Sequence, residues 1–316
     1  MTGGQAPLKG PMAWEADELE PSSWRIDCTE RDIKGLTGLV EDLDRRSVSL
    51  ESATAEDFGA EAMRGLADRV VSCLNDGPGF ALVRTWPVDD WGVDATGTLF
   101  WGLGSLVGVP LPQNDKADRL SAVRRQAATG AVLSESARRG SHSDQEIDFH
   151  TENARPPQPP RVIALLCCSP AAEGGESALV SGHAVHNRLL REYPGAVEAL
   201  SESFLFARPA SAGSDGQTTD RQAVFTAGPS GTQVRFNRYW MERGAETGGQ
   251  PWSERSRDAV DAFEAVAHQP GMSFVHRLSA GEMVFVNNRV VLHSRRGFVD
   301  HLDQGPGRML WRLWCS

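Results

Sequence analysis

Residues 1–29 are rich in Gly, Pro and acidic side chains and show no hydrophobic period, although Trp14 and Trp24 lie among them. They predict an irregular N-terminal arm laid over a single body formed by residues 30–316. From Glu30 the pattern changes, and Ile33, Leu36, Val40 and Leu43 recur at the three- and four-residue intervals of an amphipathic helix. A second helical pattern runs from about Ala55 to Leu74 and stops at Asn75-Asp76-Gly77-Pro78-Gly79. Phe80-Ala81-Leu82-Val83 then reads as a strand closed by Trp86-Pro87, and Asp90 to about Leu106 as a further helix. Residues 107–123 carry Pro110 and Pro112 and predict an ordered loop, in which Gln113 and Asn114 bond backbone groups that proline leaves unpaired.

Two long polar stretches, 124–148 and 210–231, are rich in Ser, Gly, Asp and Arg or Thr. The first reads as either a lid or a surface loop, the second as either a lid or a disordered insert. Arg155-Pro156-Pro157-Gln158-Pro159-Pro160 has the fixed φ angles of an extended spacer. Beyond it, short apolar runs alternate with turn clusters: 162–168, 177–180, 204–207, 233–236, 272–275, 283–286, 290–293 and 309–313. Helical patterns interrupt them from His183 to about Ser201 and from Ser253 to about Ala267. Many short strands with few long helices predict a mainly β fold with flanking helices, a barrel or sandwich core.

A chain of 316 residues buries enough surface to be stable without crosslinks. Its five cysteines are odd in number and form no C-x-x-C pair, which argues against a disulfide framework and a structural zinc site. Cys167 and Cys168 end an apolar run and read as small buried hydrophobes. A formal net charge of −10 opposes nucleic acid and anionic membranes as partners. With neither a secretory signal nor an apolar run of membrane-spanning length, the expectation is a cytoplasmic protein with a small-molecule substrate; homo-oligomer formation is left open.

His150 and Glu152 are two positions apart, so on an extended segment both project from one face and Thr151 from the other. Two histidines and one carboxylate on one face of a metal leave the remaining positions open, as non-haem Fe(II) chemistry requires. His293, in Leu292-His293-Ser294, is the candidate second histidine. A His-x-Glu tripeptide is common by chance, and taken alone reads more readily as surface or hydrogen-bonded residues than as metal ligands. On a strand, Arg308, Leu310, Arg312 and Trp314 share a face, so two guanidiniums point the same way from an apolar segment. Such a pair fits either an edge strand or a bound carboxylate, which a guanidinium grips with two parallel hydrogen bonds. His183 and His186 have helical spacing suited to a metal, but no acid or thiol completes a set, so they read as solvent-facing or capping side chains. The sequence carries neither a nucleophile elbow nor a phosphate-binding loop nor a dinucleotide fingerprint.

Taken together, His150-Thr151-Glu152, His293 and Arg308 resemble the Fe(II)/2-oxoglutarate-dependent dioxygenases of the TauD/TfdA superfamily, in particular the clavaminate-synthase-like branch, where Glu replaces Asp. Supporting segments fall in family order: Gly79 to Arg84, Pro112-Gln113-Asn114, Gly174-Gly175-Glu176-Ser177, Asn287-Asn288 and Arg308 to Trp314. The resemblance implies a double-stranded β-helix (jelly roll, cupin-like) core. It implies His150, Glu152 and His293 as Fe(II) ligands, and Arg308 with Ser177 as the grip on the distal carboxylate of 2-oxoglutarate. Arg312 and Asn114 become candidate substrate contacts. The implied reaction consumes O2 and 2-oxoglutarate, releases succinate and CO2, and hydroxylates a small polar substrate such as an amino acid or natural-product intermediate. Desaturation, cyclisation and C–N or C–C cleavage use the same cofactors and stay open, as does a non-catalytic small-molecule-binding barrel. Glu152 argues against halogenation, because related halogenases carry Gly or Ala at that position.

Overall fold

The computed structural model describes residues 6–48, 50, 53–114, 116–124, 144–153, 159–208, 218–229, 231–300 and 307–316. Most of the expected lid 124–148 and part of 210–231 therefore lie outside the described residues, as do residues 154–158 of the proline-rich spacer. In chain order the described strands are β1 (Arg25–Asp27), β2 (Phe80–Arg84), β3 (Leu120–Arg124), β4 (Ile147–His150), β5 (Val162–Ser169), β6 (Glu173–Gly174), β7 (Ser177–Ser181) and β8 (Phe204–Ala207). They continue as β9 (Thr219–Gln222), β10 (Phe225–Gly228), β11 (Gly231–Val234), β12 (Ser273–His276), β13 (Met283–Asn287), β14 (Val291–Arg295), β15 (Phe298–Val299) and β16 (Met309–Cys315).

A six-stranded sheet in the order β1-β2-β13-β5-β16-β3 faces a four-stranded sheet in the order β12-β7-β14-β4. The two inner faces meet in one core that joins Phe80, Ile163, Val284 and Trp314 of the larger sheet to Leu179 and Val291 of the smaller. The result is a double-stranded β-helix. Its central strands are buried on both faces, which explains why Val162 to Cys168 is a continuous apolar run and not an alternating one. The outer face of the larger sheet packs on helices Glu30–Arg45, Glu61–Asn75 and Val93–Val107 through Leu36, Leu66, Phe100 and Phe285. The outer face of the smaller sheet, with Phe149, Val180 and Leu292, is covered by the helices between Gly182 and Ala267. Among the described residues, no helix is long and apolar enough to cross a membrane.

Several boundaries differ from the sequence expectation, each for a local reason. The segment from Ala55 is a 3-10 turn over Ala55–Phe58 before the helix begins at Glu61. The helix expected from Asp90 is broken at Gly92, whose φ of 78° no helix accommodates. Pro194 and Gly195, the latter at φ 85°, likewise divide the helix expected from His183 to Ser201 into Gly182–Glu192 and Ala196–Leu200. β3 lies inside the stretch expected to be loop, and the helix Arg238–Thr247, which buries Met241, Gly244 and Ala245, is absent from the expected elements. The arm is more regular than expected: β1 adds to the larger sheet in parallel with β2, and Trp14 is buried with its indole N–H donating to the Pro78 carbonyl at 2.7 Å. His183 and His186 are buried rather than solvent-facing, with His183 Nε2 on the Thr232 carbonyl at 2.7 Å and His186 edge-on to Phe225. Cys167 and Cys168 are buried as expected, and all five cysteines are free thiols.

Candidate active site

The site lies where β4 and β14 run side by side. These strands pair antiparallel with His150 opposite His293, so two imidazoles remote in sequence stand on neighbouring strands and one face. Their ring centroids are 4.2 Å apart. Glu152, just past the end of β4, turns its carboxylate toward both: Oε2 is 3.9 Å from His150 Nε2 and 3.6 Å from His293 Nε2. One ligand atom from each residue lies within 4.8 Å of the others, and this is the one candidate metal cluster among the described residues.

Surrounding bonds hold the three side chains in this arrangement. His150 Nδ1 donates to the Asp148 carbonyl at 2.8 Å, which leaves Nε2 as the lone-pair nitrogen facing Glu152. Thr151 points to the other face as the two-residue period requires, and its backbone N–H donates to the Phe236 carbonyl at 2.7 Å. Asn288 clamps Glu152 by its backbone: Oδ1 accepts the Glu152 N–H at 2.7 Å and Nδ2 donates to the Glu152 carbonyl at 2.9 Å. The Asn287-Asn288 pair marks the segment in the sequence, but only the fold reveals this bond across 136 residues.

The electrostatics suit a cation. Burial, reinforced by the neighbouring His293, pushes His150 down to about 4, so its imidazole is neutral and able to ligate near pH 7. Burial also works to raise the Glu152 carboxyl, but Arg312, His293 and His150 outweigh it and hold the group well below the usual carboxylate range. The neutral His150 imidazole, the ionised Glu152 carboxylate and the His293 ring, all from one side, form a donor set that fits Fe(II) with an open face.

Arg312 is brought to this cluster. Its Nη1 is 3.6 Å from Glu152 Oε1, its guanidinium lies 5.0 Å from the Trp314 ring centroid, and its Nε donates to Gln113 Oε1 at 2.8 Å. Gln113 in turn donates from Nε2 to the Arg312 and Arg119 carbonyls, which bears out its expected backbone-bonding role. Asn114 is not brought to the site. It is exposed, and its side chain closes its own loop by donating to Asp118 and accepting the Lys116 and Asp118 N–H groups. The neighbouring Gln113 reaches inward in its place.

Ser177, on β7, shares an inner cavity with His293, Leu165 and Val284. Arg308 lines a second cavity with Gly174, Gly175 and Arg277. Its guanidinium is buried, lies 5.1 Å from the Phe298 ring centroid, and leaves Nη1 with no hydrogen-bond partner. A buried guanidinium with an open donor is suited to an anion. The glycines beside it are needed: a Cβ on Gly174, at φ 71°, would stand 2.3 Å from the Gly297 carbonyl oxygen.

The sequence model of the family described as "Taurine catabolism dioxygenase TauD, TfdA family" matches residues 50–314. The chain belongs to this dioxygenase family. FR-33289 synthase of Streptomyces rubellomurinus (strain ATCC 31215) is 27% identical over 98% of this chain and 90% of that protein. The taurine hydroxylase-like protein SAT17 of Stachybotrys chartarum (strain CBS 109288 / IBT 7711) is 26% identical over 53% of this chain and 41% of its own length. Among solved structures, asparagine oxygenase with Fe(II), 2S,3S-3-hydroxyasparagine and succinate superposes with a TM-score of 0.70 at 20% identity, covering 92% of this chain and 93% of that one. The non-heme iron oxygenase OrfP with Fe and alpha-ketoglutaric acid gives 0.69 at 14% identity, covering 92% and 94%. At these identities the structural likeness establishes the double-stranded β-helix fold.

Proposed function

We propose that this dioxygenase couples oxidative decarboxylation of 2-oxoglutarate to hydroxylation of a small polar substrate that carries a carboxylate, most simply an amino acid or a derivative of one. The observation that carries the reading is the convergence of His150, Glu152 and His293 on one small volume, with Arg312 at its side. In this reading the three side chains hold Fe(II). Arg308 and the Ser177 hydroxyl receive the distal carboxylate of 2-oxoglutarate, and Arg312 receives an anionic group of the substrate. Iron with 2-oxoglutarate and dioxygen would supply an oxidant that removes a hydrogen atom from the substrate, with succinate and CO2 as by-products.

The chain itself binds, orients and keeps water out. Asn288 fixes the backbone from which Glu152 projects, and the apolar walls Ile163, Leu165, Leu179 and Val286 exclude bulk water around His293. Gln113 holds the Arg312 guanidinium beside Glu152, so a substrate carboxylate gripped there is oriented relative to the metal. With iron held by this set, Glu152 would be the ligand at the place an external halide would need, which favours oxygenation. An amino-acid substrate is supported by the hydroxyasparagine bound to asparagine oxygenase and the (3S)-hydroxy-L-Arg bound to OrfP, proteins of the same fold. Five free thiols suit a reducing, cytoplasmic setting.

Anaerobic addition of Fe(II) and 2-oxoglutarate to the full chain is expected to produce a weak visible charge-transfer band. Glu152→Ala and His293→Ala are expected to abolish it. A wild-type protein that binds neither component would leave the binding-protein alternative in its place. Screening amino acids for substrate-triggered succinate release then identifies the substrate.

A further inference from the structure

The peptide that joins Asp148 to Phe149 is held at both of its polar ends. Its carbonyl, that of Asp148, accepts from His150 Nδ1 at 2.8 Å. Its N–H, that of Phe149, donates to Asp148 Oδ1 at 2.6 Å. A trans peptide is planar, so its N–H and C=O point in opposite directions and turning one turns the other. The Asp148 carboxylate therefore sets the direction of the carbonyl that holds the His150 ring. A carboxylate on the N–H also polarises the peptide and makes its carbonyl a stronger acceptor.

That carboxylate is itself anchored from outside the strand. His268 Nε2 donates to Asp148 Oδ1 at 2.8 Å, across 120 positions of sequence. His268 ends the helix Glu254–Ala267, and its backbone N–H closes the last turn on the Glu264 carbonyl at 3.0 Å. Its ring centroid is 5.1 Å from that of Phe149, which shares one buried cluster with Phe263 and Ala267 of the same helix. Packing of the helix on β4 through Phe149 thus fixes the place from which His268 reaches the carboxylate. The two side chains are 50% and 59% exposed, so their pairing adds little to the stability of the fold. What the pair does control is the aim of the peptide between β4 and the His150 ring.

We infer that His268 is a positioning residue of the metal site: through the Asp148 carboxylate and the peptide after it, His268 holds the His150 ring with Nε2 toward Glu152 and His293. The inference rests on the reading of those three residues as a metal site, and extends it to a side chain outside the motifs that carry that reading. His268 does not touch the metal or the substrate.

The test measures metal binding and stability separately. Metal-free full chain is titrated anaerobically with Co(II), whose visible absorption reports the ligand set, and thermal unfolding of the metal-free protein is followed alongside. His268→Ala is expected to weaken Co(II) about three- to tenfold, the lower range for a group that orients a ligand from a distance. Its Tm should stay within about 2 °C of the wild type, as loss of an exposed pair implies. His268→Gln, whose amide N–H replaces the Nε2 donor, is expected to restore most of the affinity. Asp148→Ala should weaken Co(II) at least as much as His268→Ala, and combining the two should add no further loss, because both break one chain of bonds. An unchanged affinity in His268→Ala overturns the inference, as does a Gln variant as weak as the Ala variant or a His268→Ala effect that persists in full beside Asp148→Ala. A His268→Ala chain that fails to fold, or loses several degrees in Tm, would make the residue a scaffold element and overturn it as well. A wild type that does not bind Co(II) overturns the metal-site reading first. A wild type that binds Co(II) with His268→Ala unaffected overturns this inference alone.

Discussion

Arg312 shows how one side chain divides its duties. Its Nε is committed to Gln113, its guanidinium lies on Trp314, and Nη1 stands beside Glu152 with a donor to spare for a ligand. If the guanidinium grips a substrate anion, Arg312→Leu should raise KM for an anionic substrate tenfold or more, as removal of a charge-assisted pair does. Binding of 2-oxoglutarate should persist, because Arg308 is untouched. Gln113→Ala should act in the same direction but more weakly, since it frees the guanidinium without removing it. Steady-state kinetics with anaerobic 2-oxoglutarate titration check both. Normal turnover of an anionic substrate by Arg312→Leu would remove the assigned role.

At the scale of elements, a carboxylate at the head of β13 ties three segments together. Glu282 is buried and accepts from Arg84 of β2 at 2.7 Å, from His276 of β12 at 2.8 Å and from the Ser279 N–H at 2.9 Å. It thereby joins the edge strand of the smaller sheet to the larger one. Burial by itself would raise the Glu282 carboxyl, but the Ser279 N–H, His276 and Arg84 hold it below its ordinary value of 4.5. A group with a depressed folded value favours the native state fully above its unfolded value, and that contribution fades as pH falls through the folded value. Glu282→Ala should therefore destabilise the protein at neutral pH by on the order of 3 kcal/mol, because it strands buried donors. The gap between wild type and variant should narrow below about pH 4.5. Denaturant midpoints across that range measure it, and a gap independent of pH would exclude the ionic contribution.

For the molecule as a whole, the N-terminal arm braces the barrel. Trp14 and Trp24 pack on Phe80, Trp24 and Phe80 both meet Phe274 of the opposite sheet, and Leu8 exchanges two bonds with Asn187 on the helix Gly182–Glu192. Ser181, at the end of β7, donates to the Met12 carbonyl. Removing residues 1–28 would strip β1 from the sheet edge and expose this aromatic cluster, whose large side chains each contribute about 1.5–3 kcal/mol when fully buried. The truncated chain should lose several degrees or more in Tm. An unchanged Tm would show that the barrel stands without its arm.

What the sequence determined by itself follows from short-range rules. The amphipathic period of residues 30–45, the doubly buried run at 162–168 and the projection of His150 and Glu152 to one face depend only on local geometry, and each is present in the fold. The arm's β1 and the edge strand β3 were not legible, because each is held mainly by a strand distant in the chain and not by its own period. The same division runs through the site. The residue types at 150, 152, 293 and 308 suggest the chemistry. Only the pairing of β4 with β14 sets His293 beside His150, and only the crossing of distant loops puts Asn288 on Glu152 and Gln113, rather than Asn114, on Arg312. Strand register and loop closure join residues more than a hundred positions apart, and no local pattern encodes those distances.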